Sequence, residues 1–299
     1  MSEKMIEAKK KEADAFMKEG DKLTTKTLLR WKCDWDNAAI AYEKAAKNYR
    51  TCKMYDLAKY CFTRLALCQK SIDVYTLAAM SMESASAMAK EMNNQQEAIE
   101  LLVEASRIYR INGNSSTAAD TMTKAAMMME KTDVNQALEL LMDSCEMLDI
   151  DDKEYLSGDK FKLTISMLLR HKKYLEAVDQ LINQNKMFVK MDNTHDLNKS
   201  CLSAIVVLLA IDDVVSAKRR YEEFLNHSSF LHSQEGTTAL ELINAFDTNN
   251  AEAVKNIRSR HLFNFLDNQV AKIAKALTLS ENVTGGGIDT PQGGEESVL

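Results

Sequence analysis

QEAIELLVEASRIY, residues 96–109, reads as an amphipathic helix with an unusual face. Ala98 is followed four residues on by Leu102 and seven on by Ala105, offsets that lie on one side of an α-helix. Two alanines around one large residue let a neighbouring backbone come close while the large side chain fills the groove. The triplet returns twenty residues later as Ala118, Met122, Ala125, and it stands twenty residues earlier as Ala78, Met82, Ala85.

Extended in both directions, the step of twenty gives Ala58, Phe62, Leu65 and Ala38, Tyr42, Ala45. After a slip of one residue it continues as Ala137, Leu141, Ser144; Ser157, Phe161, Thr164; Ala177, Leu181, Gln184; Leu197, Cys201, Ala204; and Ala217, Tyr221, Phe224. Polar stretches such as MNNQQ (92–96), INGNSS (111–116) and LDIDD (148–152) interrupt the apolar pattern as turns would. Each unit therefore reads as one helix of about 14–16 residues and a turn, about 22 Å long. Successive helices run antiparallel and stack as a solenoid of helical hairpins. The hairpin period is near 40, longer than the 34 of a tetratricopeptide repeat. The predicted fold is all-α: a tetratricopeptide-like solenoid with a C-terminal helical bundle.

Proline and glycine agree with this. Pro291 is the only proline, and before residue 280 the glycines are Gly20, Gly113, Gly158 and Gly236. Neither residue interrupts helix over most of the chain. The expected organisation is a twisted helical-repeat sheet over 1–236, a helical cap over 237–280, and a flexible acidic, glycine-rich tail over 281–299.

Apolar residues are 45% and charged residues 27%, an ordinary globular mix. The net charge of −6 does not suggest a nucleic-acid binder. Residues 1–60 nevertheless hold fourteen Lys and Arg against ten Asp and Glu, a basic front end. No apolar signal segment follows Met1, and the longest apolar run, LSAIVVLLAI (202–211), is half a membrane span. That run reads as a buried helix, and the expected location is cytoplasmic. The cysteines (33, 52, 61, 68, 145, 201) show no CxxC spacing and suit reduced, mostly buried thiols.

The search for chemistry finds no support for an enzyme. His227 and His232 are five apart, which suits neither a helix face nor an HExxH pair. GGGI (285–288) lacks a following GK[ST], and no Ser or Cys stands in a nucleophile motif. Neither a metal nor a cofactor is expected. Met127, Met128 and Met129 read as core filling, with a methionine-lined partner groove as the alternative.

What remains is surface. KTLLRWKCDW (26–35) carries both tryptophans, interleaved with Lys26, Arg30 and Lys32. In one reading Trp31 and Trp35 pack between the first helices. In the other, Leu28, Leu29 and Trp31 form a loop that dips into an anionic membrane surface beside basic neighbours. RHKK (170–173) and KRR (218–220) are basic clusters that read either as solvated helix ends or as contacts for an acidic partner.

WKCDWDNAAIAYEKAA (31–46) and SRHLFNFLDNQVAKIAKALTL (259–279) followed by GGGI give the chain a resemblance to the soluble NSF attachment proteins (SNAPs), and within them to the gamma type. Cys33 departs from the proline usual there, and the tail is short and ends in ESVL. The resemblance implies an adaptor rather than an enzyme. Such proteins bind assembled SNARE complexes, syntaxin-type included, and recruit the NSF ATPase, which unwinds them in vesicle fusion and ER–Golgi transport. Other SNAPs and a peripheral membrane contact are further implied partners, and nucleic acid is not. Carried over by position, the membrane loop is Leu28, Leu29 and Trp31. The residues expected to face the ATPase are Glu241, Asp247, Glu252 and Leu299; those expected to face the SNAREs, chosen as basic positions and not by a motif, are Lys124, Arg170, Lys172 and Lys173. The alternative function is a peptide-binding co-chaperone or scaffold of tetratricopeptide type, against which the 40-residue period argues. A phosphopeptide adaptor like the 14-3-3 proteins would need an Arg-lined groove that the register does not suggest.

Overall fold

A computed structural model describes residues 3–26, 31–150 and 153–279, and among them every regular element is helical. Contacts divide the chain into two compact units, Met1–Asn193 and Thr194–Leu299. The first holds α1 (Glu3–Thr24), α2 (Trp35–Thr51), α3 (Tyr55–Ser71), α4 (Tyr75–Glu91), α5 (Gln95–Ile111), α6 (Ser115–Met129), α7 (Val134–Ile150), a 3-10 turn (Glu154–Leu156), α8 (Gly158–Arg170) and α9 (Tyr174–Lys190). Each α-helix from α1 to α8 packs against the next, giving a tetratricopeptide-like, solenoid-like array.

Helices α2 to α6 start at 35, 55, 75, 95 and 115, in step with the triplets. Of the thirty triplet positions, all but Met82 and Tyr221 are buried. The next residue in each register is also buried: Ala46, Ala66, Ser86, Ser106 and Ala126. Here the close approach of backbones is visible. Ser86 Oγ donates to Ala98 O at 2.7 Å, and Ser106 Oγ to Ala118 O at 2.8 Å. A larger residue at these positions would push the two backbones apart.

The helices are longer than the sequence reading gave. α2 to α5 have 17 residues each, about 25 Å, and only three residues link them. The reason lies in the turn. Lys53, Asp73, Asn93 and Gly113 all have positive φ, from 57° to 72°. The residue after each donates its N–H back into the preceding helix: Met54 to Tyr49 O, Val74 to Gln69 O, Asn94 to Ala89 O and Asn114 to Tyr109 O. This left-handed cap satisfies orphan carbonyls and reverses the chain in three residues. Asn94 and Asn114 then cap the next helix, accepting from Glu97 N and Thr117 N at 3.3 Å. The one-residue slip falls between α6 and α7, where Glu130–Asp133 contain no positive φ. LDIDD is not simply a turn, because α7 continues to Ile150.

In the second unit are α10 (Thr194–Leu209), α11 (Val214–Phe224), α12 (Ser228–Leu231), α13 (Gln234–Asp247), α14 (Ala251–Arg258), a 3-10 turn (His261–Phe265) and α15 (Asn268–Ala276). The apolar run makes α10 the hub: Leu202 to Leu209 are all buried, and α11, α12, α13 and α15 pack around it. Fully buried Phe230 meets Tyr221 and Phe224 edge-on, ring centres 5.9 Å apart. Gly236 is required there, since a Cβ would run into Phe230 O. HLFNF, read as helical from sequence, is the 3-10 turn that precedes α15. The register of twenties runs on through α10 and α11, while by contact those helices belong with α13.

Candidate functional site

The segment bearing the tryptophans is tied at its two ends. Asp34 N donates to Leu23 O at 3.1 Å, and Cys33 Sγ lies 3.2 Å from Thr24 O as a weak donor. Thr24 is held in turn: Arg64 Nη2 donates to its Oγ1 at 2.9 Å. The Tyr42 hydroxyl donates to Asp21 Oδ1 at 2.7 Å and accepts from Arg64 Nε at 3.2 Å. Burial, more than any partner, pushes the Tyr42 phenol up to about 12, so the donor keeps its proton at neutral pH. The Tyr42 ring lies on α1 where Gly20 leaves room. Trp31 is 84% exposed, whereas Trp35 is half-buried against the core of α1 to α3. The packing reading thus holds for Trp35 and fails for Trp31. Leu28 and Leu29 lie outside the described residues.

Ion pairs join helices two apart in the array. Lys59 and Lys70 of α3 meet Glu97 and Glu104 of α5 at 2.6 and 3.4 Å. Glu83 of α4 meets Lys124 of α6 at 3.2 Å, Asp120 of α6 meets Lys160 of α8 at 2.7 Å, and Glu130 meets Arg170 at 2.8 Å. Odd helices are linked to odd and even to even, as two layers require. Lys124 is exposed but paired, on the layer of α4, α6 and α8. Arg170, Lys172 and Lys173 come together in the turn from α8 to α9. Lys172 supplies its positive φ (59°), and Lys173 is the first residue before α9, with Glu176 at 3.5 Å. The sequence did not reveal the rungs, although opposite charges 34 to 41 residues apart carry them; the hairpin period was the signal.

Two of the acidic candidates are already engaged. Glu241 on α13 pairs with Arg260 at 2.5 Å, and Asp247 pairs with Lys218 at 2.6 Å. The Glu241 contact is an ion pair and not an aligned hydrogen bond. Glu252 is exposed in the first turn of α14, which packs on α13. Two of the three KRR residues (218–220) are therefore engaged inside the unit: Lys218 on Asp247, Arg220 on Glu223. Leu299 lies outside the described residues.

The sequence profile described as "Soluble NSF attachment protein, SNAP" matches residues 11–271. The chain belongs to the soluble NSF attachment protein family. It is 61% identical over 282 residues to the gamma-soluble NSF attachment protein of Dictyostelium discoideum, covering 94% of this chain and 87% of the relative. The Arabidopsis thaliana protein of the same name is 29% identical over 264 residues, 88% of this chain and 91% of the relative. Within the SNAP family the chain is thus gamma-like.

All six cysteines are free thiols. Burial pushes the thiols of Cys61 up to about 12 and of Cys68 and Cys145 up to about 11, so they stay protonated at neutral pH. Among the described residues no group of His, Cys, Asp and Glu could hold a metal, and no helix is long and apolar enough to cross a membrane. The methionine run divides its work: Met129 is buried, Met127 is 55% exposed.

Proposed function

We propose that this chain is an adaptor that binds assembled SNARE bundles and recruits the NSF ATPase to take them apart. The observation that carries this is the SNAP profile, which spans residues 11–271 and so covers most of both compact units. The curated relatives are named for attachment to NSF, and that role is extended to this chain. The surfaces support the reading. The turn holding Arg170, Lys172 and Lys173 would attract an acidic rod, with an association weakened by salt. Lys124 would join it once a partner carboxylate competes with Glu83. Glu252 would face the ATPase first, with Glu241 and Asp247 following if Arg260 and Lys218 exchange partners. Trp31, with Leu28, Leu29 and the basic residues around them, would give a weak peripheral membrane contact. A cytoplasmic protein with repeats over 1–236, a cap over 237–280 and an acidic tail ending at Leu299 would act this way on syntaxin-type complexes, beside other SNAPs, in transport between membranes. No catalytic step is assigned to the chain itself.

The test is a sizing column loaded with the protein, an assembled SNARE bundle and NSF in nonhydrolysable ATP. Co-elution of all three, lost with separated SNAREs when ATP and magnesium are supplied, is the expected result. Failure to shift either partner at low salt, across several SNARE sets, would reject the reading. With liposome-bound bundles, Leu28→Ser plus Leu29→Ser slows disassembly; an unchanged rate removes the membrane loop.

A further inference from the structure

Helix α6 stops early. It starts in step at Ser115 but has 15 residues, whereas α2 to α5 have 17 and end at Thr51, Ser71, Glu91 and Ile111. Lys131 stands in register with those last residues, yet it lies in the turn after α6. The last carbonyls of a helix need partners from outside it. Here Gln95 of α5 supplies one, its Nε2 donating to Met128 O at 2.5 Å. Between the last turn of α4, the start of α5 and the end of α6 lies a cavity of about 500 Å³, lined by Lys90, Asn93, Gln95, Met127, Met128 and Lys131. The two lysines come from different helix ends and both are exposed. Neither meets a carboxylate among the described residues. The acidic groups beside them in sequence are engaged or outside the lining. Glu130 pairs with Arg170 and lies 3.2 Å from His171, Asp133 accepts from Gln136 N at 3.0 Å, and Glu91 does not line the cavity.

We propose that this cavity is a docking pocket for an acidic segment of a partner protein, whose carboxylates meet Lys90 and Lys131 while one large apolar side chain enters beside the methionines. The charge argues for the occupant: two ammonium groups face one space with no anion between them, and carboxylates brought there relieve their repulsion. The walls argue for its apolar part. Met127 and Met128 adapt to the shape of what enters, and the stems of the lysines extend that apolar surface. The volume lies in the range of pockets that bury a ligand group. This gives the exposed half of the methionine run a use that core filling does not. The pair of Glu130 with Arg170 joins the end of α6 to the end of α8, so the cavity adjoins the basic turn of Arg170 to Lys173. The inference deepens the adaptor reading, on which the identity of the natural partner rests, by naming a pocket that anchors the partner while the basic turn steers it.

The test uses the full chain labelled with carbon-13 at methionine methyl groups, the signals of Met127 and Met128 being assigned by Met127→Leu and Met128→Leu. The probes are a peptide with one tryptophan flanked by glutamates, the same peptide with alanine for tryptophan, the same with glutamine for every glutamate, and an assembled SNARE bundle. The first peptide is expected to shift both methyl signals, and the alanine and glutamine peptides to shift neither at the same concentration. Lys90→Glu with Lys131→Glu should weaken the first peptide at least tenfold without moving the melting temperature. The same charge change at exposed Lys10 and Lys11 of α1 should leave its binding as it is. Methyl signals that ignore both the first peptide and a bound bundle overturn the pocket, and an equal response to the glutamine peptide overturns its acidic occupant. A bundle that does not bind while the first peptide still shifts the signals rejects the adaptor reading and leaves the pocket standing.

Discussion

Lys160 is the buried end of an asymmetric pair: its side chain is 10% exposed, while that of Asp120 is 57% exposed. Removing Asp120 strands a desolvated ammonium; removing Lys160 returns a carboxylate to water. Asp120→Ala is therefore expected to cost about 1–3 kcal/mol, and Lys160→Met less than about 1 kcal/mol. Equal losses in urea melts would show that the pair is not asymmetric in this way. Asp213, which caps α11, behaves differently because it titrates. A hydrogen bond from Ser216 N at 2.9 Å holds its carboxyl below the ordinary range. Its contribution is present above the unfolded value of about 4 and disappears as pH falls through the lower folded value. Asp213→Asn keeps the cap and loses the titration. Wild type should therefore lose more stability than this variant on acidification below about pH 4 in thermal melts. Residues of this kind were only partly legible. Asn94 and Asn114 announce themselves as caps, but Lys53 carries no sign of the left-handed backbone that the fold imposes on it.

At the scale of elements, the helices were legible and their ends were not. The triplets give faces, because small residues at offsets of seven must meet a neighbour. They do not give length, which depends on how few residues the turn needs. Ala98→Leu and Lys53→Gly test the two halves of the repeat with opposite signs. Ala98 is fully buried and its carbonyl accepts from Ser86, so leucine there should destabilise by about 1–3 kcal/mol through overpacking. Glycine at residue 53 removes left-handed strain of about 1–2 kcal/mol and loosens the unfolded chain by about 0.5–1 kcal/mol. A net gain of up to about 1 kcal/mol is expected. Chemical denaturation reads both, and a stabilised Ala98→Leu or a destabilised Lys53→Gly would refute the corresponding half. The 3-10 turn before α8 was illegible for a related reason. Ser157, Phe161 and Thr164 keep the register, so nothing in the pattern says that the turn before them is 3-10.

The first unit is built from contacts between neighbours. Partners stand one helix or two helices apart along the first unit, so stability accumulates locally. Both tryptophans lie at one end, and Trp35 packs on α1 to α3. Tryptophan fluorescence and helical circular dichroism should then give different urea midpoints, since one reports the first helices and the other every helix. Coincident transitions would mean that cooperativity spans the chain. The family was legible from two motifs and the period, whereas the ion-pair rungs needed the hairpin spacing applied to charges. Of the proposed partner surfaces, the basic turn was readable as a run of four residues, but the ion pairing of Glu241 and Asp247 was not. Their partners, Arg260 and Lys218, are 19 and 29 residues away.

The turn at Glu130–Asp133 has the character of a dislocation in a lattice. On one side the left-handed residues stand at 53, 73, 93 and 113; on the other they stand at 172 and 192, one place out of phase. A perfect lattice of twenties could slide by one repeat, or trade repeats with a second copy, and match itself again. A lattice with a single fault cannot, because the fault lands on an intact repeat and every later helix meets its neighbour about 100° out of turn. The missing residue thus works as a key cut into an otherwise uniform rack: it leaves one alignment in which all the teeth engage.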